Sequence, residues 1–148
     1  MGYKAWLLVF GLFILPLCSC QSPADTVKVT QVIDGDTIKI ADGSLVRYIG
    51  IDTPEVYPQP EDFGIEARLA NCELVEGKRV RLERDVSDTD RFGRLLRYVY
   101  VDDLFVNAEL VRRGLAHAKA YPPDIKYQEF LEELESEARL ADRGIWAK

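Results

Sequence analysis

Two Asp-Gly pairs, Asp34-Gly35 and Asp42-Gly43, interrupt a stretch in which apolar and polar residues largely alternate, and they constrain the fold more than any other feature of the chain. Val27, Val29 and Val32 stand before the first pair, Ile38 and Ile40 between the pairs, and Leu45, Ile49 and Ile51 after the second. A period of two marks a half-buried strand. Asp-Gly between two such runs favours a tight hairpin, because glycine takes a positive φ without steric penalty. Three strands in an antiparallel meander are therefore predicted over residues 26–33, 37–41 and 45–51.

After a Pro-rich loop through Pro60, the period changes. Ile65, Leu69, Cys72 and Val75 recur at helical spacing and Gly77 ends them, which predicts a first helix with those residues on its buried face. Val80 with Leu82, then residues 95–101, predict two further strands joined by a polar loop over 85–94. Asn107 is placed to cap a short helix carrying Leu110, Val111 and Leu115, with Gly114 near its end. Past Pro122-Pro123, the residues Phe130, Leu134, Ala138 and Ala141 mark one face of a last helix, closed by Gly144 and anchored by Ile145-Trp146. The order is βββ-α-ββ-α-α. Five strands with a helix between the third and fourth match the OB-fold, a mainly β, α+β architecture built on a five-stranded Greek-key barrel. That fold often binds nucleic acid, but fold alone does not assign a function.

With 148 residues, 47% apolar and 30% charged, the chain has enough material for one domain with its own core. The first residues stand apart. Lys4 precedes an apolar run over 5–17, 13 residues, which as a helix spans about 20 Å against a bilayer core of roughly 30 Å. It reads as a secretory signal. Its end, Leu17-Cys18-Ser19-Cys20, is similar to a bacterial lipobox with Cys20 as the acylated residue; the other reading is an ordinary signal cleaved near Cys20. Residues 1–20 are thus expected to be a signal peptide, 21–25 a tether and 26–148 the domain, which acts outside the cytoplasm as a monomer and is membrane-anchored where Cys20 carries lipid. Cys72 is then the one thiol of the mature domain, expected to be a small buried hydrophobe, and the core must hold the fold without a disulfide.

A net charge of −6 argues against indiscriminate adhesion to nucleic acid. The charge is uneven: Lys78, Arg79, Arg81, Arg84, Arg91, Arg94 and Arg97 crowd one window, and Glu129, Glu132, Glu133, Glu135 and Glu137 another. The acidic run is ordinary for a solvated helix face, although a surface adhesion role would rest on it. His117 is the sole histidine, which argues against multi-histidine zinc sites and against catalytic triads built on another histidine; it reads as structural.

The acids around the turns carry the chemistry. Asp34 and Asp36 bracket a glycine, and singly they are ordinary turn residues. Asp52-Thr53-Pro54 is singly a common strand exit. Taken together they differ: if the second and third strands pair through Asp42-Gly43, Asp36 at the start of one lies near Asp52 at the end of the other. Two converging carboxylates call for a hard cation with oxygen ligands, Ca²⁺ foremost, and Thr53, held extended by Pro54, can offer its carbonyl. Arg47, on an alternating strand with Leu45, Ile49 and Ile51, needs an anionic partner: either a neighbouring carboxylate or a phosphate. Arg94 follows Asp90-Arg91-Phe92-Gly93 and is either solvated or catalytic.

The segments VIDGDTIKI, RYIGIDTPE, TDRFGRLLRYVYV and LFVNAELVRRGLA occur in the order and near the spacings of the staphylococcal nuclease (thermonuclease) family, which the chain resembles from about Val27 to Trp146. The resemblance implies that Asp36, Asp52 and the Thr53 carbonyl bind Ca²⁺, with Asp34 an acid beside the metal, and that Arg47, Glu55 and Arg94 serve catalysis. It implies Ca²⁺-dependent hydrolysis of DNA and RNA to 3'-phosphate ends. Arg91 and Phe92 match substrate-touching positions; alternatively they are a solvated arginine and a packing phenylalanine. Over residues 116–123 Tyr121 alone remains where the staphylococcal enzyme offers two tyrosines to the nucleotide. The competing expectation is a non-catalytic OB module that binds nucleic acid or a partner, for which the trio Arg47, Glu55 and Arg94 would be unnecessary.

Overall fold

The computed structural model describes residues 26–147; the predicted signal peptide, the tether and Cys20 lie outside the described residues. In chain order the elements are β1 (Thr26–Val32), β2 (Thr37–Ile40), β3 (Leu45–Tyr48), β4 (Ile51–Asp52), α1 (Gly64–Val75), β5 (Arg79–Glu83), β6 (Leu95–Val101), β7 (Leu104–Phe105), α2 (Val106–Arg112), β8 (His117–Ala118) and α3 (Gln128–Leu140), then a 3-10 turn at Gly144–Trp146. The meander β1–β2–β3 forms as the two Asp-Gly turns require, with Ile38 opposite Val46 across β2 and β3. β5 pairs with the free side of β1, β6 with β5, and β6 then runs parallel to β3, matching Val46 with Leu95 and Tyr48 with Arg97. This last pairing closes a five-stranded mixed barrel, which with three helices is the α+β OB-fold. Val29, Val32, Ile38, Val46, Val80, Val99, Leu110 and Leu131 fill it and its helical cover. Closure removes sheet edges that would otherwise invite pairing with other chains.

Four readings of the sequence are corrected. The third strand does not reach Ile51. It ends at Tyr48, because Gly50 turns the chain with φ 78°, and a Cβ there would sit 2.7 Å from Leu131 Cδ1. Ile51 and Asp52 instead pair with Ala118 and His117 in a separate β4–β8 ribbon. Arg47 therefore shares no continuous strand face with Ile49 and Ile51, and Leu45 is exposed. Second, α1 buries Ala67, Ala70, Asn71, Leu74 and Val75, while Ile65 and Leu69 are 50% and 57% exposed. Both faces have helical spacing; the one with small residues wins because it lets the helix approach the barrel closely. Cys72 is half-buried beside that face rather than fully buried.

Third, Asn107 is not a cap. It is the second residue of α2, fully buried, where its amide donates to the Ile49 carbonyl at 2.9 Å and its oxygen accepts from the Val99 N–H at 3.0 Å. Fourth, Leu131, not Phe130, is the core residue of α3: Phe130 is 46% exposed and Ala141 is exposed, while Ala138 is buried as expected. The C-terminal anchor does form, with the Trp146 ring edge-on to His117 at 4.9 Å and under the Arg139 guanidinium at 4.0 Å. Four arginines of the basic window, finally, pair with acids of the same stretch: Arg81 with Glu83, Arg84 and Arg97 with Asp88, and Arg94 with Asp90.

Candidate active site

One rim of the barrel brings together residues that the sequence scatters. A cleft of about 530 Å³ is lined by Asp34, Asp36, Arg47, Asp52, Glu55, Arg91, Phe92, Arg94 and Tyr121, among others. Asp36 arrives there because the β1–β2 turn closes on itself. Asp34 Oδ1 accepts the Asp36 N–H at 3.1 Å, and α1 clamps the turn through Asn71, whose amide donates to the Asp34 carbonyl at 3.0 Å. Gly35 lets Thr53 approach, since a Cβ would lie 2.7 Å from the threonine side chain. Thr53 uses the room: its N–H and its hydroxyl both donate to Asp36 Oδ2, at 2.9 and 3.1 Å. Thr53 is therefore seen as the fastener of Asp36, while the metal role expected of it rests on its carbonyl.

Arg47 crosses between the two aspartates. Nη2 lies 3.1 Å from Asp36 Oδ2 and 2.7 Å from Asp52 Oδ1, while Nη1 donates to the carbonyls of Tyr48 and Ile51 at 2.8 and 2.9 Å. Asp52 Oδ2 takes a second cation, Lys119 Nζ, at 2.7 Å. Even so the site remains short of positive charge. Burial, reinforced by Asp34 and Asp52, pushes the Asp36 carboxyl up to about 6 against the pull of Arg47. The buried Asp36 and the partly exposed Asp52 offer carboxylate oxygens, the donor type that a hard divalent cation prefers. Among the described residues no three His, Cys, Asp or Glu side chains converge as a ready cage, so a cation held here would draw most of its ligands from backbone or water.

Because the Asp36 pKa is raised to about 6, whereas an unfolded aspartate titrates near ~3.9, the folded metal-free protein binds this proton more tightly than the unfolded chain. The ionised carboxylate thus costs stability above about pH 6, and that cost vanishes as pH falls toward the unfolded value. In chelator, wild type is expected to lose stability relative to Asp36→Asn as pH rises through this window. Denaturant melts of both proteins at several pH values measure it, and a flat difference would remove Asp36 as the titrating group.

Glu55 follows the buried Pro54. Its backbone is clamped by Glu61, whose N–H donates to the Glu55 carbonyl at 2.9 Å and whose Oε2 accepts the Glu55 N–H at 3.0 Å. Glu55 is exposed, but desolvation by the surrounding cleft, then the nearby anions Asp36, Asp52 and Glu61, raise its pKa above the usual glutamate value despite Arg47. Across the cleft, Asp90 builds the loop that presents Arg94. Its Oδ1 accepts the N–H groups of Phe92 and Arg94 at 2.8 and 3.0 Å, and its Oδ2 accepts from Arg94 Nε at 2.7 Å. Burial works against the Asp90 charge, but those bonds outweigh it and hold the carboxyl below the ordinary range. Phe92, 70% exposed, stands at the mouth under the Arg91 guanidinium at 4.7 Å, and Tyr121 is 41% exposed. His117 lies apart from this cleft, near Glu135 at 3.3 Å.

Sequence reasoning missed Asp90 and Lys119. The first had a signal, an aspartate three residues before the glycine of its own turn; the second had none, since only the β4–β8 ribbon brings it to Asp52.

A family model described as staphylococcal nuclease homologue matches residues 45–148. The chain belongs to the staphylococcal nuclease family. The thermonuclease of Staphylococcus hyicus is 41% identical to it over 128 residues, covering 82% of this chain and 76% of that protein. The thermonuclease of Staphylococcus intermedius is 42% identical over 130 residues, covering 84% and 77%. Endonuclease YncB of Bacillus subtilis (strain 168) is 39% identical over 136 residues, covering 86% and 64%. Family membership accords with the OB-fold barrel described above, and the cleft on its rim is where a staphylococcal nuclease homologue of this sequence gathers its acids and arginines.

Proposed function

We propose that this nuclease, a phosphodiester hydrolase by family, cleaves DNA and RNA in a Ca²⁺-dependent reaction that leaves 3'-phosphate ends, and that it works outside the cytoplasm. The observation that carries the reading is that Asp36, Arg47, Asp52, Glu55 and Arg94, from separated stretches of chain, line one cleft. Asp36, Asp52 and the Thr53 carbonyl would hold Ca²⁺, which when bound supplies Lewis acidity to a phosphate oxygen.

Glu55 acts on the attacking water. Its raised proton affinity makes it a better base than an ordinary glutamate. Arg94, gripped at Nε by Asp90, lines the cleft with the rest of its planar fork. Arg47 is anchored through Nη1 on two carbonyls, so Nη2 can exchange a carboxylate for a phosphate oxygen without releasing the side chain. Both forks would stabilise the charge that builds as phosphorus becomes five-coordinate. At the mouth, Phe92 and Tyr121 would stack bases and Arg91 would meet a flanking phosphate.

Digestion of single- and double-stranded DNA and RNA, with Ca²⁺ and with chelator, followed by end-group analysis, tests this. Cleavage only with Ca²⁺ and with 3'-phosphate ends is expected. A folded protein that binds nucleic acid but cuts nothing under any divalent ion would be the OB binding module instead. Anchoring through Cys20 is tested on the same preparations: Cys20→Ser should move activity from the membrane fraction to the soluble one. A wild-type protein already soluble, with Gln21 as its first residue, would establish simple secretion.

A further inference from the structure

Both oxygens of Asp52 are bonded to cationic side chains, Oδ1 to Arg47 Nη2 and Oδ2 to Lys119 Nζ, each at 2.7 Å. The two are held very differently. The Arg47 side chain is 11% exposed and is also tied to Asp36, Tyr48 and Ile51. The Lys119 side chain is 49% exposed and reaches Asp52 on a flexible stem, with the Tyr121 ring 5.4 Å from Nζ as its other neighbour. It is delivered by the β4–β8 ribbon, where the Lys119 N–H donates to the Gly50 carbonyl at 2.9 Å, so its backbone stays put whichever way the side chain turns. Half-exposed ion pairs of this kind are weak and exchange readily. Of the cations on Asp52, Lys119 is the one whose whole side chain can swing away, since Arg47 stays anchored through Nη1 on two carbonyls.

We infer that Lys119 is a tethered counter-ion for Asp52. It neutralises the carboxylate while no divalent cation is bound, must give up Oδ2 when one arrives, and thereby sets the metal affinity of the site. It is a positioning residue that acts through Asp52, and the inference rests on the Ca²⁺-dependent reading above. Its sign follows from charge: a lysine on a metal-binding carboxylate competes for its oxygen and repels the ion, so both effects weaken binding.

The test is calorimetric titration of the full chain, stripped of metal, with Ca²⁺ alone. Lys119→Met, which keeps the aliphatic stem, should bind Ca²⁺ roughly fivefold to tenfold tighter than wild type, the scale of one partly screened charge. Lys119→Arg should return the affinity to near wild type. The rise in Tm at a fixed, sub-saturating Ca²⁺ concentration should be larger in Lys119→Met by linkage, and the same melts report whether the variant is folded; Lys119→Gln serves if it is not. A merely structural lysine predicts a lower metal-free Tm with unchanged Ca²⁺ affinity. Wild type and Lys119→Met binding Ca²⁺ equally would overturn the tether and leave the Ca²⁺ reading standing. If no variant binds Ca²⁺, the Ca²⁺ reading falls and the tether with it.

Discussion

Replacing the carboxylate of Glu55 by an amide, Glu55→Gln, is expected to slow cleavage by roughly two to four orders of magnitude, the range for losing a general base. The substitution is clean because the backbone of Glu55 is held by Glu61 and the buried Pro54 rather than by its own side chain. Asp36 and Asp52 keep their partners, so Ca²⁺ binding should survive. The pH profile gives a second readout. A base must be ionised to work, so wild-type turnover should climb as pH rises through a value above the ordinary glutamate pKa, in the direction that desolvation and the neighbouring acids dictate. That limb should vanish in Glu55→Gln. A purified variant that cuts at full speed would take Glu55 out of the mechanism.

The second large effect is expected from Arg94→Lys and Arg47→Lys, despite conservation of charge. Arg94 spends Nε on Asp90 and keeps the rest of its fork for the cleft; a lysine has one nitrogen and can satisfy the carboxylate or a phosphate, not both. Arg47 makes two contacts from each of two nitrogens, a pattern that a single ammonium cannot reproduce. Turnover should fall on the order of a hundredfold or more, with a smaller loss in substrate binding, because the interaction strengthens as charge develops on the phosphate. Arg47→Lys should also melt earlier, since its bridge lies between two acids, one of them buried. Turnover and Tm measured on the same preparations separate the roles. Lysine variants that melt early yet cut at wild-type speed would make these arginines bridges and nothing more.

Much of the site was legible in the chain because its logic is local. Asp42-Gly43 forces β2 onto β3, and that pairing alone brings Asp36 toward the end of β3. What stayed hidden depends on contacts the chain makes with distant parts of itself. The turn at Gly50 reads as part of a strand until Leu131 is seen packed against it. Asn107 has the chemistry of a cap, yet it is spent inside, on the carbonyl of Ile49 and the amide of Val99, where strand pairing leaves them open. In α1 the two faces carry equally good helical spacing, and only closeness to the barrel selects Ala67, Ala70 and Leu74 over Ile65 and Leu69. Phe130 outranks Leu131 in bulk, yet the smaller residue is the one that fits.

The pairing of four arginines of the basic window with nearby acids also bears on how this enzyme travels along its substrate. Arg81, Arg84, Arg94 and Arg97 each face a carboxylate, and the whole chain carries a net charge of −6, so little of the exterior attracts a polyanion. A nuclease that grips only at its cleft has nothing to keep it on the strand once a bond is cut. It should therefore work distributively, releasing both fragments after each event and returning by diffusion, so that intermediate lengths accumulate early in a digest instead of a few molecules being degraded to the end.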